Sequence, residues 1–290
     1  MKIPLHKKAL DFKVDTNVVS EEYYIFYQIE DWKCNLNIFE SGYFNLDRYS
    51  DIKPYKHNKI SINNGKRYIN ASPINIGKKE KYFISTQGPK PETIEDFWTM
   101  VYENNSNVIV MLCNVTEGGR IKCENYWEKP QMKKFSVEIQ NEEKSKMHTI
   151  RTLKLKIKEK NEERIINQIH FTAWPDHGIP DISDGKVFQD FCEINQKVDE
   201  LNNKNNPMIV HCSAGVGRTG TFVSMYLLEK EINEQINAKK EYIRFNIFNL
   251  VRKIKEMRMY MVQSEVQYEF IYAYVKYLLE TKNKFNLKII

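Results

Sequence analysis

Cysteine is scarce in this chain. There are five among 290 residues, an odd number without regular spacing, which argues against a disulfide framework. Long apolar runs are missing as well. The longest, such as VIVMLC at 108–113, are far too short to cross a bilayer, so no membrane insertion is expected. The opening residues, MKIPLHKKALDFKVD, contain no apolar stretch of a secretory signal, and neither end carries a lipidation motif. These absences lead to the expectation of a cytoplasmic, reducing compartment in which a free thiolate survives. No Pro/Gly/Ser-rich linker and no internal repeat divides the chain, which favours one domain over two. Charge of one sign is not concentrated either: the net charge of +6 is spread along the chain. Its densest basic run, RTLKLKIKEK at 151–160, alternates Lys154, Lys156 and Lys158 with Leu153, Leu155 and Ile157. That is the period of a strand with one wet face, not the clustered basic surface of a nucleic-acid binder. No nucleic-acid partner is expected, only a mild attraction for anionic substrates. The six histidines lack ligand spacing, and Cys34, Cys113, Cys123 and Cys192 form no Cys-x-x-Cys pair. No metal or other cofactor is therefore expected, and those four cysteines read as packing residues.

What is present is enough for a substantial core: hydrophobic residues make up 41% of the chain and aromatics 12%. Strand-like runs stand at 82–85, 108–113, 153–157, 165–171 and 208–211, with a polar hairpin turn at 159–164. Helical spacing predicts a helix carrying Ile94, Phe97, Trp98 and Val101, and another carrying Val187, Phe188, Phe191, Ile194 and Val198. It recurs in Ile247, Leu250, Val251 and Ile254, and in the aromatic-rich segment 266–279. Interleaved strands and helices give an α/β fold, a single domain with a mixed β-sheet flanked by helices.

The most informative stretch is NPMIVHCSAGVGRTGTF, residues 206–222. An apolar strand ends at His211, Cys212 follows, then a loop with Gly215, Gly217 and Gly220, and a helix is expected to begin near Thr219. Such a loop turns successive backbone N–H groups inward and forms an anion-binding concavity above a helix N-terminus. The same groups should make the Cys212 thiol more acidic than a free one. Arg218 offers a planar fork that matches two phosphate oxygens. Nucleophile and phosphate cradle thus share one turn of chain. A cysteine-protease pairing of Cys212 with His211 is disfavoured, because consecutive residues leaving a strand point to opposite faces. His211 is expected to brace the loop through backbone hydrogen bonds.

At these residues the sequence resembles the protein tyrosine phosphatases, whose signature is His-Cys-x5-Arg-Ser/Thr; HCSAGVGRTG matches it without a gap. The likeness extends over roughly residues 20–280. KYFISTQGP (81–89), TIEDFWTMV (93–101), KCENYW (122–127), FTAWPDHGIP (171–180) and MVQSEVQY (261–268) resemble family segments in family order. The resemblance implies a twisted mixed sheet flanked by helices and a catalytic domain at 20–282, with short extensions at 1–19 and 283–290.

It also implies roles. Cys212 would attack phosphorus, while Arg218 and the amides of Ser213, Ala214, Gly215, Val216 and Gly217 hold the phosphate. Asp176 in WPDHG would protonate the leaving phenol and then serve as base for water; alone, an aspartate there is a turn former. Trp174 would anchor the hinge of that segment. Gln263 would position the hydrolytic water, with Gln267 a second candidate. Thr219 would stabilise the departing thiolate or cap the helix. Glu117 would orient the arginine, and Lys122 would lie at the pocket edge. LDRYSDIKPY (46–55) resembles the phosphotyrosine-recognition loop, in which Tyr49 would stack on the substrate ring and Asp51 would accept from substrate amides. The implied partners are phosphotyrosine-containing proteins or peptides. Two other readings are a catalytically dead phosphotyrosine-binding module and a dual-specificity or lipid phosphatase. The presence of Asp176, Cys212 and Arg218 speaks against the first, and Tyr49 against the second.

Several positions depart from the family pattern. Leu46 and Asp47 precede Arg48-Tyr49, Ser50 stands where a basic residue is frequent, and Arg67 stands where Asp is usual. Glu128 replaces a proline, and Lys255 replaces the first arginine of the pair that ends at Arg258.

Overall fold

The computed structural model describes residues 14–76, 82–128, 130, 132–175, 178–183, 185–202, 206–240 and 243–282. Its strands are β1 (Ser61–Ile62), β2 (Arg67–Tyr68), β3 (Ala71–Ile74), β4 (Phe83–Thr86), β5 (Val108–Met111), β6 (Thr116–Glu117), β7 (Arg120–Ile121), β8 (Phe135–Lys144), β9 (His148–Ile157), β10 (Glu162–Phe171) and β11 (Met208–His211). The helices are α1 (Thr16–Cys34), α2 (Ile94–Glu103), α3 (Lys186–Leu201), α4 (Gly217–Asn237), α5 (Ile247–Met257) and α6 (Glu265–Lys282).

Seven strands form one sheet in the order β3-β4-β11-β5-β10-β9-β8. The inner four, β4, β11, β5 and β10, run parallel; β3 at one edge and β9 and β8 at the other are antiparallel. The sequence explains the division. β5 (VIVM) and β11 (MIVH) are buried along their whole length, as expected of parallel strands covered on both faces. β9 alternates, burying Thr149, Arg151, Leu153, Leu155 and Ile157 and turning Lys154 and Lys156 outward. Among these apolar positions Arg151 is the charged exception.

Helix ends follow ordinary capping chemistry. The Asp15 carboxylate accepts from the Asn17 amide at 3.0 Å to start α1, and the Asn246 side chain accepts from the Asn249 amide at 2.8 Å to start α5. α4 packs against α6 and α5, and α1 against α6. α4 is buried almost all round from Gly217 to Glu229, so this helix runs through the core behind the loop that begins at Cys212.

Three expectations need correction, and two elements were not foreseen. α4 starts at Gly217, not near Thr219, because the loop keeps Val216 as the non-helical cap. The β9–β10 turn is shorter than 159–164, since both strands continue pairing to Ile157 and Glu162. α1 and β8 carried no periodic signal: α1 buries only Val19, Phe26 and Glu30, and the second half of β8 is exposed. Cys34 does not pack but lies exposed at the end of α1, its Sγ 3.0 Å from the Tyr260 hydroxyl.

Candidate active site

In an open sheet of parallel strands, loops gather at the carboxyl ends. Here the four parallel strands end at Thr86, Met111, Phe171 and His211. The segments that follow them bring Glu117 and Cys212 to one cavity, while Gly88 and Trp174 adjoin it through their bonds to Ser213 and Gly178. Its volume is about 370 Å³, and Tyr49, Asp51, Glu117, Lys122, Cys212, Ser213, Arg218, Gln263 and Gln267 are among its lining residues.

The loop 212–216 owes its shape to where its carbonyls are held. The His211 ring contacts the Cys212 oxygen at 3.1 Å, and the Gly88 amide donates to the Ser213 oxygen at 2.9 Å. Arg258 donates to the Ala214 oxygen at 3.2 Å and to the Gly215 oxygen at 2.9 Å. In a planar trans peptide the N–H points opposite to the C=O. Four carbonyls pinned on the outside therefore aim the amides of Ser213, Ala214, Gly215 and Val216 at the inside, where the Gly215 amide lies 3.3 Å from Cys212 Sγ. Gly215 must be glycine: its φ is +73°, and a Cβ there would lie 2.0 Å from the Thr86 oxygen. The positive end of α4 begins immediately beyond, at Gly217.

Arg218 stands at the cavity edge on the first turn of α4. Its two terminal nitrogens grip both oxygens of Glu117 at 2.7 and 2.9 Å, and they also donate to the Leu112 oxygen at 3.2 Å and the Pro175 oxygen at 2.8 Å. Burial works against the charge, but the Glu117 hydrogen bond and charge outweigh it and hold the guanidinium above the usual arginine range. Glu117 comes from the β6–β7 hairpin, and its Oε1 also accepts from the Asn114 amide at 2.9 Å. Thr219 is fully buried, and its hydroxyl makes no hydrogen bond among the described residues. Since the helix is already under way at Gly217, Thr219 caps nothing.

Around the rim, the Tyr49 hydroxyl is 2.8 Å from Ser213 Oγ, which in turn donates to the Lys122 oxygen at 2.8 Å. This ties the tyrosine wall to the cradle. Asp51 is exposed at the mouth. Gln267 is buried and accepts from the Gln263 amide at 3.0 Å, while the Gln263 side chain is exposed toward the cavity. Trp174 is buried, and its indole N–H donates to the Gly178 oxygen at 3.2 Å, bridging the two ends of the segment that carries Asp176. Asp176 itself lies outside the described residues.

His211 is completely buried, and burial lowers its pKa to about 3, so the ring is neutral. Its Nδ1 faces the Cys212 carbonyl and its Nε2 faces the Tyr126 hydroxyl at 2.8 Å. It braces the loop and is turned away from Sγ.

Sequence reasoning gave no role to several residues that build the site. Arg258 is fully buried, and besides the loop carbonyls its guanidinium reaches Asn70 Oδ1 at 2.7 Å. Burial lowers its pKa to about 10. Arg48 donates to the oxygens of Gly88 (3.0 Å), Pro89 (2.6 Å) and Ile121 (3.3 Å), fixing the Tyr49 loop against the strand ends. The departures from pattern are accommodated: Asp47 accepts from Tyr68 and Asn70, Arg67 pairs with Asp96 at 2.8 Å, and Lys255 pairs with Glu30 at 2.8 Å. Glu128 accepts from the Asn125 amide. The only sequence signal for Arg258 and Arg48 was an arginine inside a matched segment, because their partners are carbonyls distant in the chain.

Comparison with known proteins agrees with this geometry. The family model described as "Protein-tyrosine phosphatase" matches residues 44–277. Tyrosine-protein phosphatase non-receptor type 20 of Rattus norvegicus is 36% identical over 284 residues, covering 94% of this chain and 63% of that protein. The Homo sapiens protein of the same name is 39% identical over 236 residues, covering 79% and 53%. The chain thus spans a little over half the length of these curated relatives. Among solved structures, the catalytic domain of human protein tyrosine phosphatase non-receptor type 18 superposes with a TM-score of 0.78 at 28% identity, covering 91% of this chain and 96% of that one.

Proposed function

Because this chain belongs to the protein-tyrosine phosphatase family, we propose that it hydrolyses phosphotyrosine in proteins through a phosphocysteine intermediate on Cys212. One observation carries this reading: Arg218, held in a fork by Glu117, flanks a thiol that lies beneath inward-facing amides. A neutral acyl substrate would need no such paired guanidinium, whereas a phosphoryl dianion, its charge spread over three oxygens, does.

In the first step the Cys212 sulfur attacks phosphorus, and the bond to the phenolic oxygen breaks. Asp176 protonates that oxygen as tyrosine leaves. Arg218 and the loop amides balance the charge on the equatorial oxygens. In the second step Gln263 orients a water, Asp176 takes its proton, and the oxygen attacks phosphorus. Phosphate departs and the thiolate is restored, with the Thr219 hydroxyl donating to it; the unpartnered state of that buried hydroxyl supports this role. Contact between Arg218 and the Pro175 oxygen ties the residue that precedes Asp176 in sequence to the cradle. Tyr49 selects phosphotyrosine, because a wall at that depth keeps the shorter phosphoserine from reaching the thiol.

We assign the activity to a catalytic unit at 20–282, acting on phosphotyrosine-containing proteins in a reducing, cytoplasmic setting that preserves the thiolate. No helix among the described residues is long and apolar enough to cross a membrane. The test is phosphate release from phosphotyrosine and phosphoserine peptides in excess chelator. Parent chain should be phosphotyrosine-selective and chelator-insensitive, and C212S should bind peptide without turning it over. Phosphoserine preference, or turnover by C212S near the parent rate, would defeat the reading.

A further inference from the structure

Behind the loop lies a line of polar groups, exposed at Glu142 and buried from Arg151 inward, that the reaction scheme leaves unused. Glu142, Arg151 and Gln168 occupy one register across β8, β9 and β10, as direct cross-strand partners. Arg151 Nε donates to Glu142 Oε2 at 2.6 Å, and its Nη1 donates to Gln168 Oε1 at 2.9 Å. Gln168 Nε2 donates to the Tyr126 hydroxyl at 2.8 Å. Tyr126 Oη stands 2.8 Å from His211 Nε2, and His211 Nδ1 stands 3.1 Å from the Cys212 oxygen. Gln168, Tyr126 and His211 are fully buried, and Arg151 is nearly so, its guanidinium stacked 4.7 Å from the Trp127 ring. Placing a charged group and a primary amide in an otherwise apolar strand face is costly unless every polar atom is used.

The two ends of the line allow only one direction. Arginine can only donate, so the Gln168 oxygen must face it and the amide nitrogen must face Tyr126. Tyr126 Oη therefore accepts from Gln168 and spends its proton on His211 Nε2, its other neighbour, Met111 Sδ, being distant at 3.9 Å. His211 then carries its proton on Nδ1, where the Cys212 carbonyl can only accept. Near neutrality the ring stays uncharged, since burial disfavours the imidazolium.

We infer that Arg151 and Gln168 are positioning residues for catalysis: their donor direction matches the one the acceptor-only Cys212 carbonyl requires, so the relay through Tyr126 and His211 that pins this carbonyl outward runs unopposed. Pinning that carbonyl aims the Ser213 N–H into the phosphate cradle. The inference rests on the proposed reading of the cradle, but the direction of the relay is a property of the free protein.

The decisive substitution keeps size and reverses polarity. In Gln168→Glu, a carboxylate accepts from both Arg151 and Tyr126, so Tyr126 can no longer donate to His211. The imidazole is driven to the Nε2–H tautomer, and its Nδ1 lone pair then faces the carbonyl it used to hold. Gln168→Met removes both links but leaves Tyr126 free to donate. NMR of the full chain labelled in histidine should find His211 as Nδ1–H in the parent and in Q168M, and as Nε2–H in Q168E. With a phosphotyrosine peptide, kcat should fall about tenfold in Q168E, a fraction of what loss of a whole oxyanion donor costs, and less than about threefold in Q168M. An Nε2–H tautomer in the parent overturns the relay even if Q168E does not fold. So do an unchanged tautomer or parent kcat in Q168E, and so does a Q168M as slow as Q168E, which would mark the residue as packing alone. If the parent fails on phosphotyrosine, the proposed function falls while the tautomer still decides the relay.

Discussion

Two glycines in the first turn of α4 should respond to the same substitution in opposite ways. At Gly220 a Cβ would sit 2.3 Å from the Val262 nitrogen and 2.8 Å from the Met261 carbonyl carbon, both backbone atoms. At Gly217 it would meet the Gln267 amide end at 3.0–3.1 Å, which can yield, and the Gln263 Cβ at 3.2 Å, which must give by only a few tenths of an ångström. Neither glycine needs a left-handed torsion, so each alanine gains about 0.5–1 kcal/mol in helix propensity. For Gly220→Ala that gain is overwhelmed. The 261–263 segment must retreat by about 1 Å, an overpacking that costs roughly 1–3 kcal/mol. It also strains the Val262 N–H bond to the Val216 oxygen, 3.2 Å long, which holds Val262 at the unfavourable φ of +62°. Less the helix gain, the net loss of about 0.5–2.5 kcal/mol lowers the melting temperature by roughly 1–8 °C. Gln263 rides on the displaced segment, so kcat should drop on the order of 100-fold, the usual cost of a misplacement of about 1 Å. Gly217→Ala should melt at or slightly above the parent temperature. It should lower kcat while leaving kcat/KM near parent, because in the proposed scheme only the later hydrolytic step uses the crowded glutamines. Thermal unfolding with steady-state and burst kinetics on a phosphotyrosine peptide reads all of this. A G220A chain that melts and turns over like the parent would refute the claim that α4 presses on the 261–263 backbone.

Glu117→Ala should cost about 3–5 kcal/mol of stability, since it leaves the Arg218 guanidinium buried without its carboxylate, and kcat/KM should fall with it; denaturant unfolding at parent stability would contradict the buried pair. Stability should also fall as pH drops from about 6.5 toward 4. His170 and His211, with pKa values lowered to about 4 and 3 mainly by burial, stay neutral in the fold while the unfolded chain takes up protons below its ordinary histidine pKa of about 6.5. Their stabilisation is complete above that pH and eroded below it. His170→Gln should flatten the slope of melting temperature against pH over this window, and an equal slope in the variant would count against the assignment.

How much could be read in advance depended on how local each feature is. The five strand runs and four helical patterns all correspond to elements, because burial imposes its period directly on neighbouring residues. α1 escaped because it docks through few residues and leaves Tyr24, Tyr27 and Trp32 exposed, so its apolar positions trace no stripe. β8 escaped because its exposed half, with Glu142, Glu143 and Lys144, reads as loop. Within the site, Cys212, the following amides and Arg218 are contiguous in sequence and could be grouped from sequence alone. Arg258, Arg48, Gln168 and Arg151 could not, since each acts on an atom far away in the chain.

By itself, then, the sequence determined the α/β character, because strand and helix periods are local, and it sufficed to nominate the proposed nucleophile and phosphate fork, because Cys212 to Arg218 are seven consecutive residues. Only the tertiary structure decided which carbonyls face outward, how Arg258 and Arg48 hold the loops, and in which direction the buried hydrogen bonds run to His211. Apart from the contact between the neighbours His211 and Cys212, those bonds join groups far apart in the chain, which the pairing of the strands brings together.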